Sequence, residues 1–412
     1  MRRERIVDVL IVGAGPAGLA AATGLAAAGA GEVEVVDREQ EAGGAARHCA
    51  HGGFGRLGLT GPRYAERWVA AAVGVGAVLR TGVTVTDWPG SLTVDATSAR
   101  GLERITARAV VIATGARERP RAARLVPGTR PAGVYTTGEL QRAVHVHGQR
   151  IGTRAVVVGA EPVSFTALDT LRRAGVEVVA LVTEHPRHQA SRGRAAEARL
   201  RQGIPLLTGA TVAELLGRGR LSGVRLRHRD GRTAYLPCDT VVFTGDFVPD
   251  HDLARRAGLP LDPGTRGPAV DGAFRTAERG VFAVGNVLHA AEPARMVARE
   301  GVAAAVAVRR YLRDGDWPCA SVPLRVTAPL GWVAPNRLTP DEPGDGFTLR
   351  TTEFVPHPTL AITQDGRTLY RARHRRPAIP NRPFHVPSGW VGRVDARGGA
   401  VRVALADRAG PP

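Results

Sequence analysis

The sequence predicts an α/β fold class: two βαβ units, the second inserted in the first, followed by a small C-terminal β-rich domain. Three observations carry that prediction. Short apolar strands run into glycine at Asp8 to Val12 and again at Arg154 to Val158, each followed by a helix and a second strand. The style of the first unit returns at Gly280 to Val284, so the second unit interrupts it. Beyond Trp317 the texture changes to proline, short strands and hairpin turns.

In chain order, Asp8 to Val12 (DVLIV) is a short strand, apolar after Asp8, and small residues from about Pro16 to Ala28 form its helix. Gly31-Glu32 leads to the strand Val33 to Val36, closed by Asp37. Val83 to Val94 carries further β pattern, and Ala109 to Ala113 (AVVIA) is a buried strand ending in Thr114-Gly115. Arg117 to Pro131, rich in Pro, Arg and Gly, reads as a crossover. Arg154 to Val158 opens the second unit, with a helix over about Val163 to Ala174 and a strand at Val176 to Val182. Thr240 to Thr244 (TVVFT) is a further strand, and Ala294 to Leu312 is helical. In the tail, Asp365-Gly366 between Thr359–Thr363 and Thr368–Arg373 marks a hairpin. Pro335-Asn336-Arg337 is echoed by Pro380-Asn381-Arg382.

The 412 residues suffice for two or three domains, each with its own core. The apolar fraction of 43% is that of a soluble globular protein. All of the positive charge behind the net +18 is arginine, because the chain has no lysine. Schiff-base enzymes and phosphate-loop NTPases are thereby excluded. The arginines are scattered and aromatics make up only 5%, so no basic stripe interleaved with rings marks a nucleic-acid partner. Cys49, Cys238 and Cys319 lie far apart with no C-x-x-C, which excludes a dithiol, an iron–sulfur run and a zinc knuckle; no metal site is expected. Arg2, Arg3 and Arg5 precede an apolar run that glycines soon break, unlike a secretory leader. With no other stretch apolar for long enough to cross a bilayer, the expectation is a cytoplasmic protein with no membrane span.

Gly13-Ala14-Gly15-Pro16-Ala17-Gly18 matches G-x-G-x-x-G between a strand and a helix, the context of a Rossmann-like dinucleotide-binding turn. Gly13 permits the sharp turn, Gly15 lets a pyrophosphate approach the backbone, and Gly18 lets helix and sheet close together, with the helix N-terminus facing the anion. Asp37, with Arg38 beside it, ends the second strand at the offset of a ribose-binding acid.

Later motifs specify the dinucleotide. Gly43-Gly44, Ala113-Thr114-Gly115 and Gly280-Val281-Phe282-Ala283-Val284-Gly285-Asn286 occur in the order of two-dinucleotide-domain flavoproteins. Across roughly residues 6 to 312 the chain resembles the pyridine-nucleotide-disulfide-reductase-like superfamily. That resemblance implies FAD, held by the first unit. In the superfamily the last motif ends Gly-Asp; here Asn286 stands in the acid's place, able to hydrogen-bond a ribityl hydroxyl without adding charge. Gly43-Gly44-Ala45-Ala46-Arg47-His48-Cys49-Ala50-His51, then Phe54-Gly55 and Gly61-Pro62-Arg63-Tyr64-Ala65, with Ala113-Thr114-Gly115-Ala116-Arg117-Glu118-Arg119-Pro120 and Val126-Pro127-Gly128-Thr129-Arg130-Pro131-Ala132-Gly133-Val134, narrow it. They are similar to the α subunits of dye-linked amino-acid and opine dehydrogenases and to the B subunit of hydrogen cyanide synthase. The resemblance implies oxidation of an amine or amino acid by FAD, in a complex with a second flavoprotein and an iron–sulfur subunit. The domains expected are 1–120 with 251–316 for FAD, 121–250 as an NAD(P)-binding-like domain, and 317–412 as the β-rich domain.

The second unit is informative by its defects. Gly159-Ala160-Glu161-Pro162-Val163-Ser164 puts a carboxylate where pyrophosphate needs a glycine, and a serine where packing wants one. The expectation is a degenerate domain that does not bind NAD(P). Arg187, Arg192 and Arg194, placed where a 2′-phosphate could sit, argue the other way. Near the flavin, His48, Cys49 and His51 are the candidate catalytic residues: a histidine there could take a proton from a substrate amine or stabilise charge on the reduced ring. Three readings stand: an amine-oxidising enzyme passing electrons to a partner, a non-catalytic flavin or electron-relay subunit, and an NAD(P)H-dependent reductase.

Overall fold

The computed structural model describes residues 2–55, 58–290, 292–318 and 321–406. Cys319 falls outside them. The chain divides into two compact units, one made of residues 1–46, 63–117 and 249–412, the other of residues 47–62 and 118–248.

The first unit is built on β1 (Arg3–Val12), α1 (Pro16–Ala27), β2 (Val33–Asp37), β3 (Val78–Thr81), β4 (Thr84–Gly90), β5 (Thr93–Ser98) and β6 (Gly101–Ile112). Its sheet runs β3-β2-β1-β6-β5-β4, with β1 parallel to both β2 and β6. The strand Val281–Ala283 lies parallel to the end of β6, and β5 pairs antiparallel with its beginning. The first strand is longer than its apolar run. Arg3 to Val7 pair in register with Glu103 to Ala107, so cross-strand hydrogen bonds extend β1 where hydrophobicity alone would not.

Helix α1 is made of small residues because it is covered closely. Gly301, on the helix Ala294–Asp314, lies so near α1 that a Cβ there would collide with the Ala17 carbonyl. A Cβ on Gly24 would sit 2.9 Å from that of Ala305. Apolar positions that look featureless in sequence are therefore a helix–helix contact.

The β-rich region has its own core, including Leu324, Leu349, Leu360, Ile362, Trp390 and Val401. Among the described residues, five strands form one sheet and three the other. The expected hairpin joins Thr359–Gln364 to Arg367–Arg373, with Asp365 (φ 47°) and Gly366 (φ 82°) both left-handed, as a tight two-residue turn requires.

The second unit contains β7 (Val134–Thr136), α2 (Thr137–His145), β8 (Arg154–Val158), α3 (Pro162–Arg173), β9 (Glu177–Thr183), β10 (Leu206–Thr208) and β11 (Thr240–Phe243). They form a parallel sheet in the order β10-β9-β8-β11-β7, the second Rossmann-like domain. A three-stranded antiparallel sheet, Ala210–Arg218, Arg220–His228 and Thr233–Pro237, accompanies it. Helix α2 starts from a capping box: Thr136 N–H donates to Glu139 (2.8 Å), and Glu139 N–H donates to the Thr136 hydroxyl (3.4 Å). Among the described residues no helix is long and apolar enough to cross a membrane.

Candidate functional site

The first glycine turn is shaped by close backbone approaches at two of its glycines and by open space at the third. Gly13 has φ +112°, and a Cβ there would collide with the Ala113 carbonyl. A Cβ on Gly18 would collide with the Gly13 carbonyl. Gly15 differs from both. Its backbone is ordinary extended chain (φ −80°, ψ −179°), and among the described residues, its chain neighbours aside, a Cβ there would meet no atom within 4 Å. Neither strain nor packing demands glycine at 15, so the open space before the α1 N-terminus fits a ligand atom.

Asp37 organises this turn from the end of β2, accepting from Ala14 N–H (2.6 Å) and Glu39 N–H (2.8 Å). Gly43 N–H donates to the Ala14 carbonyl (2.8 Å), and a Cβ on Gly44 would come 2.8 Å from the Gly15 Cα. Thr114 donates its hydroxyl to the Asp250 carbonyl (2.7 Å), and the exposed Arg38 reaches the Asp250 carboxylate at 3.4 Å. Gly285 (φ 79°) packs against Ala17, where a Cβ would sit 2.7 Å from the Ala17 Cβ. The Asn286 amide holds its own loop: it donates to the Glu292 carbonyl (3.3 Å) and accepts from Glu292 N–H (2.8 Å). The structure thus brings Gly13, Gly15, Pro16, Ala17, Gly18, Asp37, Gly43, Gly44, Ala113 and Gly285 together in one unit.

In the second unit the corresponding turn is filled. Glu161 repeats the Gly15 backbone (φ −86°, ψ 172°) but carries a side chain that folds back over the turn. Its carboxylate accepts from Ala160 N–H (2.9 Å) and from the Thr244 hydroxyl. A Cβ on Gly159 would lie 2.7 Å from both carboxylate oxygens. Ser164 shares a hydrogen bond with Thr244 (2.8 Å), and Arg124 donates to the Thr244 carbonyl (3.0 Å). Burial, first, pushes the Arg124 guanidinium below its usual value, against the carboxylates of Asp246, Glu118 and Glu161. Of the arginines that could take a 2′-phosphate, Arg194 is ion-paired with Asp169 at 2.7 Å.

Arg47, His48, Cys49 and His51 belong to the second unit. Cys49 donates to the Gln141 side-chain oxygen (3.3 Å), and burial, with the Glu118 carboxylate second, pushes its thiol up to about 12. It is a thiol at neutral pH, not a thiolate. The His51 ring packs on Phe54 at 5.3 Å, and its Nδ1 lies 2.7 Å from the Gly52 carbonyl oxygen.

One cluster escaped the sequence. Buried His289 pairs through Nε2 with Glu300 (2.9 Å) and stacks on Trp332, rings 5.7 Å apart and 11° from parallel. The other Glu300 oxygen accepts from Gly285 N–H (2.9 Å). The Glu292 carboxylate, wholly buried, takes both Nε (2.8 Å) and Nη2 (2.6 Å) of Arg350. Burial opposes charge on His289, but Glu300 outweighs it, aided by Glu292, and raises its pKa above the ordinary 6.5. The partners come from separate elements far apart along the chain, so no local pattern announces them.

A family model described as pyridine nucleotide-disulphide oxidoreductase matches residues 7–307. The alpha subunit of sarcosine oxidase from Corynebacterium sp. (strain P-1) is 29% identical over 84% of this chain and 37% of its own length. The A subunit of opine oxidase from Rhizobium meliloti is 30% identical over 68% of this chain and 58% of its own. The chain therefore spans less than two thirds of either relative. The crystal structure of thioredoxin reductase from T. acidophilum superposes with a TM-score of 0.63 at 25% identity, covering 74% of this chain and 98% of that one.

Proposed function

From a chain that belongs to the pyridine nucleotide-disulphide oxidoreductase family, and is thus a flavin-type oxidoreductase, we propose an FAD enzyme that oxidises a secondary amino acid. The observation that carries the cofactor is the contrast between the two turns. Gly15 leaves space before a helix N-terminus, and Glu161 fills the same space with a carboxylate. Anion binding is favoured at the first position and opposed at the second, which supports FAD in the first unit and speaks against NAD(P) in the second.

In this reading Gly13, Gly15, Pro16, Ala17 and Gly18 hold the pyrophosphate, and Asp37 accepts from the adenosine ribose, with Arg38 alongside. Gly43, Gly44, Arg47, Ala113, Thr114, Gly115, Gly285 and Asn286 line the rest of the cofactor path. When bound, FAD supplies a two-electron acceptor for the hydride of the C–H bond beside the amine nitrogen, which leaves an imine. His48 and His51 are the proposed acceptors of the amine proton, and the Cys49 thiol is a hydrogen-bond donor to Gln141 beside them. Sarcosine and the opines named in the relatives are secondary α-amino acids, and this supports the substrate class. Both relatives are named as subunits, which supports assembly with a partner protein, the proposed receiver of the electrons.

Anaerobic titration of the FAD-loaded chain tests the proposal. Bleaching of the flavin by sarcosine or an opine is the expected result. Bleaching by NADH or NADPH instead would establish the reductase reading, and no bleaching by either class a non-catalytic flavin subunit. Failure to take up FAD at all would overturn the cofactor itself.

A further inference from the structure

The C-terminal β-rich region reaches the cofactor loop at two neighbouring points. Trp332 on the strand Leu330–Ala334 and Arg350 on the strand Phe347–Thr351 stand directly opposite each other in an antiparallel pair. The Arg350 guanidinium lies over the Trp332 ring (5.7 Å), and the same ring stacks on His289. Arg350 also grips the buried Glu292 carboxylate through two nitrogens. Glu292 closes the loop on Asn286 through its backbone, and His289 closes it on Gly285 through Glu300. His289 and Glu292 are thus fastened to one pair of side chains, and Gly285 is tied to His289 through Glu300.

We propose that this region is a latch: Trp332 and Arg350 are positioning residues that, through His289 and Glu292, hold the segment Gly285–Ala290 in the shape that receives FAD. The inference rests on the FAD reading above. A loop held this way has already lost its conformational freedom, so the cofactor need not order it on binding. Arg350 suits the task because a planar guanidinium can use two nitrogens on a carboxylate and still stack on a ring. Glu292 suits it because a buried carboxylate drawn off its guanidinium would be left as an uncompensated charge.

The test uses the full chain and reads FAD affinity by fluorescence titration, together with amide hydrogen exchange of the apo chain. Trp332→Ala and Arg350→Ala should each weaken FAD at least tenfold. Trp332→Phe and Arg350→Lys should recover part of that loss. Removing Arg350 alone strands a buried carboxylate, so the double variant Glu292→Gln/Arg350→Met, which leaves no unpaired charge, is measured beside it. Exchange should quicken over 285–290 while the turn at 13–18 stays protected. Unchanged affinity in all variants, or quickening spread evenly over the unit, overturns the latch. If the wild-type chain fails to take up FAD, the cofactor reading falls with it, an outcome distinct from a wild type that binds and variants that bind equally well.

Discussion

Thr244 donates its hydroxyl to the Glu161 carboxylate, and the pair closes the second glycine turn upon itself. A backbone shaped to receive an anion is satisfied by an anion of its own chain. Opening it should restore what the fold otherwise provides. The double variant Glu161→Gly/Ser164→Gly is expected to bind NADH or NADPH at least tenfold more tightly than wild type, about 1.4 kcal/mol, by isothermal titration. Thr244→Val, which strips the buried carboxylate of a donor, should lower stability by roughly 1–3 kcal/mol in denaturant unfolding.

Two glycines of the first turn should separate folding from cofactor binding. Gly15→Ala introduces a methyl into empty space on a backbone that alanine adopts freely. The apo chain should keep its thermal midpoint within about 2 °C, since no contact is lost, while FAD affinity falls at least tenfold. Gly18→Ala drives a methyl into the Gly13 carbonyl, a clash that costs roughly 1–3 kcal/mol before any ligand is added. Thermal unfolding and flavin titration of the two variants decide it.

The Cys49 thiol, pushed from 9.0 up to about 12, should react with iodoacetamide roughly a thousandfold more slowly than an ordinary thiol, followed at neutral pH by mass spectrometry of its peptide. Cys49→Ala should leave substrate-driven flavin reduction within about threefold. His48→Asn and His51→Asn are expected to slow it, by about 100-fold at the residue that takes the proton.

The raised pKa of His289 makes stability depend on pH with a definite sign. The His289⁺–Glu300 attraction is fully present below the unfolded value of 6.5 and is lost as pH rises through the higher folded value. Urea midpoints of the apo chain should therefore decline on the alkaline side of 6.5. His289→Gln should flatten that part of the profile, and a wild-type profile already flat there would contradict the ion pair.

Much of the architecture was legible because its signals are local. Gly13, Gly15 and Gly18 sit within one turn, Asp37 ends the next strand, and Asp365-Gly366 dictates a hairpin by backbone conformation alone. Helix α2 was readable in principle from Thr136 and Glu139, but the Pro/Gly-rich stretch before it hid the capping box.

By itself, the sequence determined the two strand–turn–helix units and the difference between their turns, since both follow from residue types at adjacent positions. Tertiary structure alone decided how those residues are used. Only it shows the Glu161 side chain folded onto Ala160 and Thr244, the latter 83 residues away. Burial, likewise, sets Cys49 as a thiol, and Trp332 and Arg350 reach Glu292 and His289 only because distant strands pack against the loop. Backbone preference acts between neighbours in the chain, whereas burial, charge pairing and stacking act between neighbours in space.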